Sequence, residues 1–297
     1  MVIPKNMKKL IILTDFSKTA RNAANIAVEM AIELQLDILV VNSYLAPFAI
    51  FAAEGEGRSL LDSRLIATSS EEGLKKEARR LRRIANSQSR SGAKISIDTI
   101  STLETLNQAI KTLMKTIEVQ LVVIGVHETA LPVFFSGMDI DQLLRQLICP
   151  VLIVPRKFKA LKVDDFVFAS NLGAEDLSLL REGISYAKTF GFNIHVCHVS
   201  KPVFVPDFIE EDNVRRFEHR VALLGEGNIT FTNLKGKNLT KTLNEFNKSI
   251  SADMLGIIYN PHSIAWKLLH GNHSPKLIRN QQLPLMIFPS HLLTSSS

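Results

Sequence analysis

Two segments of this chain are copies of each other, and that duplication limits the folds open to it. Residues 9–16 (KLIILTDF) align with residues 165–172 (DFVFASNL), setting Asn171 against Asp15 at an offset of 156. The same offset aligns residues 36–41 with 192–197. Toward the end of each copy, Gly137 and the run 143–155 align with Gly271 and 277–289, at an offset of 134 (Pro284 against Pro150). The second copy is therefore shorter in its middle. Two copies, each long enough for its own core, indicate a domain duplication and not a solenoid. The expected domains are residues 1–157 and 158–297.

Each copy alternates short apolar runs with helical stripes. Residues 10–13 form an unalternating apolar run, as expected of a strand buried on both faces of a parallel sheet. Ser17 then offers an N-cap. Ala20, Ala24, Ala27, Ala31 and Leu34 recur at spacings of three and four, so residues 18–34 are predicted helical. In the first copy further strands are expected at 38–41, 94–99, 121–124 and 151–154, with helices at 71–89, 103–117 and 140–146. In the second, strands are expected at 166–169, 194–199, 229–232, 254–258 and 285–288. Its helices fall at 176–189, 210–223, 239–250 and 274–280. Such alternation implies right-handed crossovers and two tandem doubly wound parallel five-stranded sheets, a Rossmann-like α/β architecture. The short basic linker, residues 156–162, favours a pair related by an internal pseudo-twofold axis, with strands 151–154 and 285–288 meeting at it.

The chain has a net charge of +6, and its densest basic cluster is Lys75, Lys76, Arg79, Arg80, Arg82 and Arg83. Leu74, Ala78, Leu81 and Ala85 make one apolar stripe there, so the cations form a solvated helix face. No aromatic residue is interleaved for base stacking, and a nucleic-acid partner is not expected. No apolar run approaches the roughly 20 residues of a membrane helix, so a membrane partner is not expected either. Only two cysteines, Cys149 and Cys197, occur, at non-equivalent places. This sparse usage fits a reducing compartment, and the expected location is the cytoplasm. Cys149 has no histidine near it in sequence, and Cys197 lies in an apolar strand, so neither is expected to be a nucleophile. His262, His270 and His273 lack the cysteine or carboxylate partners of a metal site and are read as polar loop residues.

The order and spacing of three segments resemble the universal stress protein family: Leu10 to Ser17 at the opening strand and turn, Leu121 to Gly125 at the fourth strand, and Gly137 through Cys149 to Pro155 at the close. The resemblance spans the chain as a tandem pair and implies a role in the stress response. Some members of the family bind ATP. In those, an aspartate after the first strand meets adenine, and a segment G-x2-G-x9-G-[ST] after the fourth strand holds ribose and phosphates. Only Asp15, Gly125 and Gly137 carry over to this chain. No glycine lies between Gly125 and Gly137, the loop is one residue short, Glu128 stands where the second glycine belongs, and Met138 replaces the hydroxyl residue. A carboxylate about 5 Å from a phosphate charge costs roughly 3 kcal/mol at an effective dielectric near 20. The missing hydroxyl bond adds about 1 kcal/mol more, and the two together turn a micromolar site into a millimolar one. In the second copy Asn171, Ile258 and Asn272 replace the aspartate, first glycine and hydroxyl.

The expectation is a non-catalytic protein without a cofactor, ATP being disfavoured, that acts through protein contacts or a small ligand other than ATP. The alternatives are a slowly hydrolysing ATP-binding protein using the first domain, and an enzyme using the same vestigial pocket on another small molecule. The first-domain crevice is expected to be bordered by Asp15, Ser43, Gly125, His127, Gly137 and Met138, with the apolar loop 45–53 reaching over it. Asn171, Val199, Tyr259 and His262 border the second. Protein partners are expected but not named by the sequence, and a homodimer is compatible with it.

Overall fold

The computed structural model describes residues 8–45, 60–88, 95–126, 140–156, 158, 162–201, 208–225, 228–259 and 283–290. The chain divides into two compact units, Met1–Leu161 and Lys162–Ser297. In the first unit the elements run β1 (Lys9–Leu13), α1 (Lys18–Glu33), β2 (Asp37–Ser43), α2 (Leu60–Gln88), β3 (Ile97–Thr102), α3 (Leu106–Leu113), β4 (Val119–Val126), α4 (Ile140–Gln146) and β5 (Val151–Pro155). In the second they run β6 (Asp165–Ala169), α5 (Ala174–Phe190), β7 (Asn193–Ser200), α6 (Phe208–Ala222), β8 (Ile229–Lys235), α7 (Leu239–Ser249), β9 (Met254–Tyr259) and β10 (Leu285–Pro289).

Within the first unit the strand order is β3-β2-β1-β4-β5, with every pairing parallel. The second unit repeats it as β8-β7-β6-β9-β10. The order reverses beside the first strand of each unit, so a crevice opens at the carboxyl ends of β1 and β4, and of β6 and β9. The continuous apolar runs that identify these strands are the cost-free solution for a sheet covered on both faces: Leu10 to Leu13, Ile38 to Val41 and Val122 to Ile124 are completely buried.

The duplication reaches the backbone. The residue three places beyond the end of the first strand is left-handed in both units, Phe16 at φ 62° and Leu172 at φ 66°. The residue closing the following helix is left-handed too, Gln35 at φ 53° and Gly191 at φ 75°. Leu172 and Phe16 carry a Cβ that glycine would lack, so their turns are held by side-chain bonds: Phe16 N donates to Thr14 Oγ1 at 3.0 Å and Leu172 N to Ser170 Oγ at 2.9 Å.

Several expected boundaries differ. The basic helix α2 begins at Leu60 and not at residue 71. In the added stretch Leu65 is exposed, and the buried residue among 64–70 is Ser70, held by hydrogen bonds. Strand β3 occupies Ile97–Thr102 and not 94–99, because its pairing with β2 continues through Asn42↔Ser101 and Ser43↔Thr102 after the apolar alternation has ended. Helix α3 is shorter than 103–117: Thr105 accepts from Gln108 N at 3.3 Å as N-cap, and after Leu113 the chain tightens, with Thr116 N donating to Leu113 O. Strand β8 also runs on to Lys235. The expected helix 274–280 lies outside the described residues.

One charged group sits deep in the first unit. Lys9 is fully buried, and its Nζ crosses over β2 to reach Asp98 Oδ2 on β3 at 2.6 Å. The equivalent stations in the second unit hold Asp165, His195 and Thr230, linked in series: Asp165 Oδ1 lies 2.7 Å from His195 Nε2, and His195 Nδ1 lies 3.1 Å from Thr230 Oγ1. The imidazole, then the Asn193 amide, holds the Asp165 carboxyl below its usual range. A cross-strand polar bridge is thus built at this position in both copies, from different residues.

Candidate functional site

The first-unit crevice is built on the turn Thr14-Asp15-Phe16-Ser17. Ser17 caps α1, its Oγ accepting from Ala20 N at 3.1 Å. Asp15 is exposed, and its Oδ1 accepts from Ser17 N at 2.9 Å. The turn is anchored from below by Asn42 of β2, whose Nδ2 donates to Thr14 O at 2.7 Å. Asn42 is itself buried and fixed by Ser70 of α2, whose hydroxyl lies 2.6 Å from Asn42 Oδ1 and 2.6 Å from Ser101 Oγ on β3. Ser43, also buried, donates to Glu104 O at 2.8 Å.

Gly125, the last residue but one of β4, lies directly beneath the start of α1. A Cβ there would lie 2.6 Å from Thr19 O and 3.0 Å from the Ala20 Cα, both backbone. Helix α1 therefore rests flush on the sheet at this point because residue 125 has no side chain. A second close approach orients the turn: a Cβ on Gly73 of α2 would lie 2.8 Å from the Phe16 ring, so the left-handed Phe16 lays its ring on a gap in α2. Of the six expected site residues, Asp15, Ser43 and Gly125 thus come together around the β1–β4 crevice. His127, Gly137 and Met138 lie outside the described residues, as do residues 46–53 of the apolar loop.

In the second unit the same turn is closed differently. Its N-cap is Gly173, which has no side chain to offer. Asp176, three residues on, folds back instead. Its Oδ2 accepts from Ser170 Oγ at 2.5 Å, Asn171 N at 2.9 Å and Gly173 N at 3.1 Å. Burial pushes the Asp176 carboxyl above its usual range, while those donors pull the other way. The chain's own carboxylate so fills the anion position that a helix N-terminus offers. His198 stands where Asn42 does, its Nδ1 donating to Ser170 O at 2.8 Å. Ile258 replaces Gly125 and joins the core with Phe168, Leu177 and Leu180. Tyr259, at the end of β9, is buried with its hydroxyl unpartnered. Asn171 is exposed, and Val199 is half-buried on β7. His262 lies outside the described residues, as do His270 and His273.

Asn42, Ser70, Asp176 and His198 did not figure among the expected site residues. Two signals in the sequence point to them. Asn42 and His198 share the offset of 156, and an acid three residues after Gly173 is the pattern of a reciprocal cap. Both cysteines are free and buried, and burial pushes each thiol up to about 12. A neutral thiol is a poor nucleophile. Among the described residues no group of three or more acidic, histidine or cysteine side chains could hold a metal, and no helix is long and apolar enough to cross a membrane.

A sequence model of the universal stress protein family matches residues 6–155. The chain belongs to that family. No curated protein matches it by sequence. Solved structures resemble it over nearly its whole length. One is a universal stress protein from Archaeoglobus fulgidus, with a TM-score of 0.66 at 15% identity, covering 94% of this chain and 95% of that one. A candidate universal stress protein from Pseudomonas aeruginosa gives 0.55 at 14% identity, with 98% and 96% covered. A protein of unknown function from Pseudomonas aeruginosa gives 0.54 at 13%, again with 98% and 96% covered. At these identities the likeness establishes the fold: this universal stress protein shares its α/β architecture along both units with full-length relatives.

Proposed function

We propose that this universal stress protein is a non-catalytic, cytoplasmic binding protein of the stress response, acting through protein contacts or a ligand other than ATP at the first-unit crevice. The observation that carries the reading is the state of the crevice's polar groups. The Thr14 and Ser43 side chains, Asn42 and Ser70 are engaged within the fold, and Gly125 is occupied by the backbone of α1. The exposed Asp15 carboxylate remains on the rim, where it attracts a cation or a hydrogen-bond donor. The sequence after Gly125 supports the same reading, since Glu128 adds a second carboxylate where ATP-binding relatives need a glycine. Two free buried thiols fit a reducing compartment.

Calorimetric titration of the full chain with ATP and magnesium tests the nucleotide part. A dissociation constant of about 1 mM or weaker is expected, with a correspondingly small rise in melting temperature and no phosphate release. A low-micromolar constant, or steady hydrolysis abolished by Asp15→Ala, would overturn the proposal in favour of an ATP-binding protein. Native mass spectrometry of freshly purified protein would show any co-purified ligand directly.

A further inference from the structure

The polar bridge near the amino ends of the strands is made from different chemistry in the two units. In the first, Lys9 pairs with Asp98, and the buried Leu39 holds the station between them. The matching stations of the second unit carry a carboxylate, an imidazole and a hydroxyl: Asp165 of β6, His195 of β7 and Thr230 of β8. Asp165 is held in place by its neighbours. Its Oδ1 accepts from Asn193 Nδ2 at 3.0 Å and faces His195 Nε2 at 2.7 Å, while its backbone N donates to Asp253 Oδ2 at 3.0 Å. An ionised carboxylate only accepts, so a neutral His195 carries its proton on Nε2. The Nδ1 lone pair is then aimed at Thr230 Oγ1, 3.1 Å away, as acceptor of the hydroxyl proton. Thr230 is exposed on β8, the outermost strand of its unit, with His195 and Asp165 half-buried behind it.

A hydroxyl within hydrogen-bond reach of a base, with the base oriented by a third group, is the arrangement that activates a nucleophile. We propose that Thr230 is an acylation site, which takes a small acyl group from an uncharged thioester with His195 as general base and Asp165 as positioning residue. His195 Nδ1 takes the hydroxyl proton as Thr230 Oγ1 adds to the thioester carbonyl carbon. The adduct collapses by breaking its C–S bond, and the imidazolium gives that proton to the departing sulfur. The products are a free thiol, an ester on Thr230 and a neutral His195. An exposed hydroxyl on an edge strand suits a small donor that is reactive in itself. An acyl phosphate would carry negative charge toward Asp165, and a thioester carries none. The acyl group stays on the chain, so the step is a modification and not a turnover. The site lies toward the amino ends of the strands, the opposite end from the crevice, and does not depend on what that crevice binds.

The test incubates the full chain with S-acetyl-N-acetylcysteamine, an uncharged thioester, and in parallel with acetyl phosphate. The protein is quenched in acid, digested and mapped by mass spectrometry. Alkaline hydroxylamine separates esters, which it removes, from lysine amides, which it spares. Thr68 and Ser87 are internal controls, exposed hydroxyls that donate to backbone carbonyls instead of to a base. The thioester should acetylate Thr230 about a hundredfold faster than either control. His195→Gln should remove about a hundredfold of that rate and Asp165→Asn at least about tenfold, with the controls and the far-ultraviolet circular dichroism unchanged. Thr230→Ser should still be labelled, and Thr230→Val should lose the ester. The proposal is overturned if Thr230 is acetylated no faster than Thr68, or if folded His195→Gln labels Thr230 at the natural rate. A greater advantage of Thr230 over Thr68 with acetyl phosphate than with the thioester overturns the donor class. Should His195→Gln fail to fold, the comparison of Thr230 with Thr68 in the natural chain decides alone.

Discussion

Asn42 and His198 stand at the same station of their two sheets, and each donates a hydrogen bond to the backbone carbonyl that ends the first strand: Thr14 O at 2.7 Å and Ser170 O at 2.8 Å. The two copies keep the bond and exchange the side chain that makes it. Removing the donor strands a carbonyl in a tight turn, so Asn42→Ala and His198→Ala should each cost about 1–3 kcal/mol, with the buried Asn42 at the upper end. His198→Asn should recover most of the loss in the second unit, because an amide supplies the same donor. Urea midpoints of the three variants check this; an His198→Asn variant as unstable as His198→Ala would show that the ring's packing, and not its N–H, matters.

The close approach at Gly125 makes a sharp prediction. Alanine there would bring a methyl carbon to 2.6 Å from Thr19 O, and the obstacle is backbone that cannot rotate away. Gly125→Ala should destabilise the first unit by about 1–3 kcal/mol, and Gly125→Val by more. The reverse change at the matching station, Ile258→Gly, removes a buried core side chain and should also destabilise, by about 2–5 kcal/mol. Denaturation followed by unit-specific fluorine or methyl signals distinguishes the two effects.

Asp176 gives the second unit a pH signature. Its carboxyl titrates above 3.8 in the folded protein because burial disfavours the charge. The folded state then holds this proton more tightly than the unfolded chain does. Its contribution to stability is complete below pH 3.8 and declines as pH rises through the folded value. Asp176→Asn removes that slope. Measured from about pH 3.5 to 6.5, the stability of Asp176→Asn relative to the natural chain should therefore shift in the variant's favour as pH rises. A difference that is flat, or of opposite slope, contradicts the assignment.

The Lys9–Asp98 pair should behave as a buried ion pair does. Asp98→Ala leaves the ammonium of a fully buried lysine without its counter-charge and should cost about 3 kcal/mol, the low end of the range because Asp98 is partly exposed. The double replacement Lys9→Met with Asp98→Leu should recover most of that loss. Thermal or urea denaturation of the single and double variants tests the non-additivity directly.

How far the sequence carries can be judged residue by residue. The offset of 156, the unalternating runs at β1, β2 and β4, and Ser17 as a cap were all legible, because each depends on neighbours along the chain. Where pairing and not local pattern set an element, the reading slipped: β3 follows its register with β2, and the N-terminal extension of α2 buries Ser70 by hydrogen bonds while Leu65 is left exposed.

The sequence by itself determined the duplication, the βα order and hence the family's architecture, since hydrophobic period and capping are local properties repeated in both copies. Only the tertiary structure decided what the crevice residues do. Thr19 meets Gly125 across 106 positions of chain, and Asn42 meets Thr14 and Ser70 across 28 positions each. Such contacts arise when separate strands and helices close on one another, so the contact that Gly125 makes with the backbone of α1 is not visible in the sequence around either residue. Asp176 lies close in sequence to the turn it fills, yet its role too required the fold, because only burial turns a carboxylate near a helix start into the group that occupies it.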